Sequence, residues 1–109
     1  MSMGDKDFFR EIKDIDKIIH EPSRLAIMAV LYGVEEGDFK FLLNMTGLSK
    51  GNLSAHVSKL ENAGYIKVEK KFVGKKPLTL YSITEKGRSA FEIYLKNLER
   101  ITSRITGKD

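Results

Sequence analysis

The sequence predicts an α+β domain, mostly α, with a three-helix core, an attached β-hairpin and one further helix on each side. Three observations predict it. Apolar residues recur every three or four positions across 5–20, 49–63 and 84–106, and nearly fill 22–32; that is the period of a buried helix face. The period changes to two between Tyr65 and Ile83, as it does in strands. The 109 residues carry no internal repeat and no low-complexity linker, which fits one domain. Residues 22–83 would form the core, with 5–20 and 84–106 as flanking helices.

In the first helix Phe8, Ile12, Ile15 and Ile19 fall on one stripe, widened by Phe9 and Ile18. Pro22 ends it, because a residue before proline avoids helical geometry. Pro22 also suits the first turn of the next helix. That helix, PSRLAIMAVLY, is apolar on most sides and belongs in the middle of the core. Gly33 and Gly37 bracket a loop. Asp38 caps a short third helix with Phe39, Leu42 and Leu43 inward. Thr46-Gly47-Leu48 makes a tight turn, and Ser49 caps a fourth helix ending near Gly64. A short helix, a glycine turn and a polar-faced second helix make a helix-turn-helix.

Residues 65–73 read as a strand, with Ile66, Val68 and Phe72 on one face. Gly74-Lys75-Lys76-Pro77 is a loop with turn chemistry, and 78–83 is the returning strand. Thr84 caps the last helix, where Glu85 suits the helix dipole. There Phe91, Tyr94, Leu98, Ile101 and Ile105 are spaced 3-4-3-4, a heptad-like stripe.

The fourth helix carries the most information. Leu53, Val57 and Leu60 share one face. The remaining faces carry Lys50, Asn52, Ser54, Ala55, His56, Ser58, Lys59 and Asn62, with Glu61 the single acid. A helix this thin on its outer side can enter a DNA major groove, where amides, hydroxyls and ammonium groups meet base edges and phosphates.

Charge is distributed to match. The net charge is +4. Residues 1–48 hold six Lys/Arg against nine Asp/Glu, whereas residues 49–88 hold nine against three. The basic excess therefore sits in the fourth helix and the hairpin after it, as expected for a polyanion partner. A lysine-rich solvated surface is the plain alternative. There is no cysteine, which removes disulfides and thiolate chemistry. The start, MSMGDKDFF, lacks the apolar run of a signal peptide, and no stretch approaches the ~18 apolar residues of a membrane span. A soluble, cytoplasmic protein without a membrane partner is expected.

Three motifs carry a family resemblance. They are Pro22-Ser23-Arg24-Leu25; Leu48-Ser49 through Asn52-Leu53-Ser54-Ala55-His56 to Lys59-Leu60-Glu61-Asn62-Ala63-Gly64-Tyr65; and Ser82-Ile83-Thr84-Glu85-Lys86-Gly87-Arg88. Together they resemble a small winged helix-turn-helix transcriptional regulator of the MarR/ArsR-like group, over residues 22 to about 95. The pattern L-S-x-x-x-L-S-x-H-L-x-x-L-E-x-A-G of the recognition helix is the specific part. Two departures stand out. The wing tip, Val73-Gly74-Lys75-Lys76-Pro77, lacks the Asp-x-Arg of MarR wings. The chain also lacks the cysteines of ArsR metal sensors, and has no histidine after His56. The resemblance implies a homodimer binding double-stranded DNA, and it supplies no effector.

Residue roles follow. Asn can pair with adenine and Lys with guanine, so Asn52 and Lys50 are assigned to base contact and Ala55 to a thymine methyl. Ser49, Ser54 and Ser58 add hydroxyls, and Lys59 reaches phosphate. His56 could ligate metal, act as a base or touch DNA, but it reads best as a helix-flank histidine bonded to backbone or phosphate. Lys70, Lys71, Lys75 and Lys76 grip the backbone, or place the tip in the minor groove. Arg24 is either a salt-bridge residue or a phosphate contact, and the structural role is favoured. Phe8, Ile12, Ile15 and Ile19, with Tyr94, Leu98, Ile101 and Ile105, would form the dimer interface. In a lone chain Leu98, Ile101 and Ile105 would be left wet.

Glu35, Glu36 and Asp38 lack a metal-loop pattern and read as a solvated loop. Neither a nucleophile–base–orienter set nor a phosphate loop is recognisable, so no enzyme activity, metal or cofactor is expected. The leading reading is a DNA-binding regulator, a repressor by base rate. The alternatives are a winged-helix protein-interaction module and a non-specific nucleic-acid-binding or architectural protein.

Overall fold

The computed structural model describes residues 6–108. In order, the elements are α1 (Lys6–Lys13), α2 (Pro22–Tyr32), β1 (Gly37–Asp38), α3 (Phe39–Thr46), α4 (Lys50–Asn62), β2 (Ile66–Val73), β3 (Lys76–Ile83) and α5 (Glu85–Thr106). Helices α2, α3 and α4 form the expected three-helix core. Ile27, Met28, Leu31, Leu42, Leu53 and Leu60 are fully buried within it.

The caps explain where most helices begin. The Asp38 side chain accepts the Phe41 N–H at 2.8 Å and starts α3. The Ser49 hydroxyl accepts the Asn52 N–H at 3.2 Å and starts α4. The Thr84 hydroxyl accepts the Gly87 N–H at 2.9 Å and starts α5. Each satisfies an orphan donor of the first turn. Gly47 closes α3 at φ 72°, a left-handed conformation that glycine adopts without strain. It turns the chain sharply into α4.

The first helix is shorter than the stripe implied. Residues 5–20 were expected to be helical, but α1 ends at Lys13; residue 5 lies outside the described residues. The Asp16 carboxylate accepts the N–H groups of Ile18 and Ile19 at 2.9 and 3.1 Å. This local bonding competes with helix continuation. The bend still buries Ile19 in the core, so the apolar spacing is satisfied by a turn. Pro22 is therefore not the terminator of the first helix. It is the first residue of α2, after Glu21, whose carboxylate caps the Arg24 N–H at 2.8 Å.

The sheet has three strands in the order β1-β3-β2, all antiparallel. Strand β1 was not expected, because a pair of residues has no period to read. The hairpin turn is tighter than expected. Val73 pairs with Lys76 and Phe72 with Pro77, which leaves only Gly74 and Lys75 in the turn. Gly74 has φ 64°, as the first central residue of a type II′ turn requires. Pro77 is tolerated there because β1 flanks β3 only at Leu80 and Tyr81, so its missing N–H faces an open edge.

Helix α5 spans 22 residues, ~33 Å at 1.5 Å per residue. Helix α1 packs on its C-terminal half. Glu11 accepts from Arg104 at 2.8 Å, and the Arg104 guanidinium lies 5.0 Å from the Phe8 ring centre. Ile101, expected to be wet in a single chain, is only 6% exposed, because α1 folds back over it. The radius of gyration is 16.6 Å, against about 13 Å for a compact chain of this length. The excess reflects projecting elements.

Candidate nucleic-acid interface

The helix-turn-helix positions α4 by burying one of its faces. Leu53, Val57 and Leu60 are buried against the core, while Lys50, Asn52, Ser54, Ala55, Ser58 and Lys59 are exposed. The polar set assigned from sequence is thus presented on one continuous outer surface. Ser49 is exposed too, but its hydroxyl oxygen is already engaged as the cap of Asn52. Gly51 belongs to the same surface and went unnoticed in the sequence. A Cβ added there would meet nothing within 4 Å. Helical glycine costs about 1 kcal/mol relative to alanine, and no packing inside the chain asks for it. A bare backbone on the first turn suits close approach by another molecule.

His56 stands apart from this surface. It is half-buried, and its Nδ1 lies 3.1 Å from an Arg24 guanidinium nitrogen. Its partner is a side chain of α2, where backbone or phosphate had been expected. Arg24 is buried. Its Nε donates to the Ile18 carbonyl at 2.5 Å and its other terminal nitrogen to the Lys17 carbonyl at 3.5 Å. One guanidinium thus ties the bend after α1, the core helix α2 and the recognition helix α4 together. Its structural role is carried by carbonyls and an imidazole. Glu21 lies 3.8 Å from His56. The Arg24 N–H holds the Glu21 carboxyl below its ordinary range, aided by the charges of His56 and Arg24 and opposed by desolvation.

The wing begins directly after α4. Gly64, at φ 80°, turns the chain, and Tyr65 anchors the root. The Tyr65 hydroxyl donates to the Asp16 carboxylate. Burial and that bond push its pKa up to about 12. The Thr84 hydroxyl donates to the Gly64 carbonyl at 2.6 Å, closing the base of the hairpin against α5. These anchoring contacts were invisible in the sequence, since they join residues far apart in the chain.

Lys70, Lys71, Lys75 and Lys76 are all exposed on the wing. Lys71 lies 3.8 Å from Glu69, and Lys67 lies 3.7 Å from the same carboxylate; such surface pairs are worth little. Phe72 carries the apolar face of the hairpin beyond the core. It shares the face of Ile66 and Val68, but the hairpin outruns the core, and Phe72 is 75% exposed.

The terminal helices divide unevenly. Phe8, Ile19, Tyr94 and Ile101 are buried within the chain, and Ile15 and Leu98 pack on the core. Phe9, Ile12 and Ile105 remain exposed. Among the described residues, no cluster of three or more His, Cys, Asp or Glu side chains could hold a metal. Nor is any helix there long and apolar enough to cross a membrane.

This arrangement, a polar helix displayed beside a basic hairpin, coincides with a known family. Residues 23–102 match the winged helix DNA-binding domain. The chain belongs to that family. An uncharacterized protein of Methanocaldococcus jannaschii is 35% identical over 89 residues, which cover 82% of this chain and 97% of that protein. The structure of a transcriptional regulator homologue from Pyrococcus horikoshii OT3 is similar at TM-score 0.81 and 30% identity, covering 88% of this chain and 97% of that one. A MarR-family transcriptional regulator from Silicibacter pomeroyi shares the fold, with TM-score 0.65 and 14% identity over 90% of this chain and 65% of that one. The chain is thus a winged-helix DNA-binding regulator, and its fold is shared with that MarR-family protein.

Proposed function

We propose that this winged-helix protein is a cytoplasmic, sequence-specific repressor that binds double-stranded DNA as a homodimer. Two copies of α4 enter successive major grooves ~34 Å apart. Lys50 and Asn52 read base edges, Ala55 touches a thymine methyl, and Ser54, Ser58 and Lys59 contact the groove walls. Lys70, Lys71, Lys75 and Lys76 neutralise phosphates. The protein acts by binding alone.

One observation carries this reading. The outer face of α4 is exposed, including the unshielded backbone at Gly51, while its opposite face is buried against the core. A protein-docking surface would favour apolar anchors at its centre, and this face has none.

The dimer reading is supported by the apolar surface left at the terminal helices. Phe9 is 63% exposed and Ile12 40% exposed. They are three residues apart and therefore share one side of α1, next to the side whose Phe8 and Glu11 meet α5. Ile105, near the end of α5, is 55% exposed as well. The dimer contacts thus narrow to Phe9, Ile12 and Ile105 with the edge of Leu98.

Selection of bound duplexes from a random pool tests the reading. An enriched inverted repeat, with half-sites about 10–10.5 bp apart or a multiple of that, is expected. A pool that stays random would instead favour a non-specific architectural protein.

A further inference from the structure

The wing tip carries an exposed apolar pair that phosphate contact does not use. Phe72 is 75% exposed and Val73 is 65% exposed, the two most exposed large apolar side chains among the described residues. Phe72 pairs directly across the hairpin with Pro77, which is also exposed. Paired residues share one face of a sheet, so Phe72 and Pro77 form one apolar projection. Lys70 shares that face, Lys75 lies in the turn, Lys71 and Lys76 lie on the opposite face, and Glu69 is the one acid in either strand. An exposed aromatic side chain beside a two-residue turn, on a hairpin with lysines on both faces, suits a partner that is anionic outside and apolar within. Duplex DNA has that construction, with phosphates outside and stacked bases inside.

Reach is sufficient. From Ile66 to Phe72 the strand covers ~20 Å at about 3.3 Å per residue. The minor groove beside an occupied major groove lies about half a helical turn away, or ~17 Å. Proteins that enter the minor groove with apolar side chains wedge them between base steps, unstack the step and kink the duplex.

Building on the DNA-binding reading above, we propose that Phe72, backed by Pro77, is a minor-groove wedge that partly unstacks one base step in each half-site and bends the DNA. The lysines hold the tip against the phosphates, and the ring does the deforming. Sequence preference in the flank of the site then arises from the ease of opening that step, greatest at pyrimidine–purine steps, without a base-specific hydrogen bond from the wing.

The test uses a duplex selected by the wild-type protein, carrying 2-aminopurine at successive flank positions, with donor and acceptor dyes at its ends. Wild type should raise 2-aminopurine fluorescence at one flank step and bring the dyes closer. Phe72→Ala should lose both signals and bind roughly tenfold more weakly, with the salt dependence unchanged because no charge is removed. Lys75→Ala with Lys76→Ala should weaken binding and shallow the salt dependence while the fluorescence rise persists at saturation. Phe72 is exposed, so its replacement leaves the fold intact, as circular dichroism should confirm. If wild type binds tightly but neither signal appears, or Phe72→Ala retains both, the wedge is wrong and the DNA-binding reading stands. If wild type binds no duplex at all, both fall. Phe72-dependent binding to phosphatidylserine vesicles, with DNA binding unaffected by the substitution, would assign the tip to a membrane surface and overturn the wedge.

Discussion

A Cβ placed on Gly87 would lie 2.0 Å from the carbonyl oxygen of Tyr65, so the first turn of α5 rests directly on the backbone at the wing root. That contact fixes the wing relative to α4, because Tyr65 is also where the chain leaves the recognition helix. Gly87→Ala must push α5 away from a backbone atom that cannot rotate aside. A loss of about 1–3 kcal/mol, or more, is expected from overpacking of this kind. Urea denaturation measures it, and a midpoint unchanged from wild type would show that the contact yields freely.

Tyr65 gives an alkaline signature. Burial and the bond to Asp16 raise its pKa from an ordinary 10.0 to about 12. The folded state therefore favours the neutral phenol. This contribution is fully present below the unfolded pKa near 10, and is lost as pH rises through that value towards the folded one. Tyr32, Tyr81 and Tyr94 are raised as well, so ultraviolet titration should find all four tyrosines ionising late, and Tyr65→Phe should remove one of them while lessening the fall in stability above pH ~10. A variant with the wild-type alkaline profile would contradict the assignment.

Phe9→Glu with Ile12→Glu should give a folded monomer. Both side chains are exposed in the single chain, so their replacement leaves the core intact. Changing Ile101 to Glu would instead disrupt the α1–α5 packing and the fold with it. Light scattering at micromolar concentration reads the outcome. A wild type that is already monomeric would remove the paired half-site arrangement.

Contacts on α4 and the wing should separate by role. Asn52→Ala or Lys50→Ala should relax base preference and cost ~1–3 kcal/mol per half-site if a bidentate contact is lost. Lys75→Ala with Lys76→Ala should weaken all sequences about equally. Competition between selected and scrambled duplexes distinguishes the two. A wing variant that changes the preferred major-groove bases, with Asn52 and Lys50 silent, would move the readout away from α4.

Much of this architecture was legible in the sequence. Asp38, Ser49 and Thr84 announced three helix starts, and the stripe of Leu53, Val57 and Leu60 fixed which side of α4 turns outward. Local signals of this kind depend only on neighbours within a turn or two. The misses have several causes. The stripe through Ile15 and Ile19 could not reveal that the Asp16 carboxylate would capture two backbone N–H groups and stop α1 early. Phe72 has the alternation of a core residue, and only the length of the hairpin past the core exposes it. The engagement of His56 with Arg24 and the coverage of Ile101 by α1 are distant contacts that no spacing encodes.

The most direct test of the central claim is the affinity of wild type for a selected duplex across a salt series. If the dimer neutralises ~6 phosphates, the logarithm of the binding constant should fall against the logarithm of salt concentration with a slope of about −5. A flat response would contradict duplex DNA binding through the basic α4–wing surface.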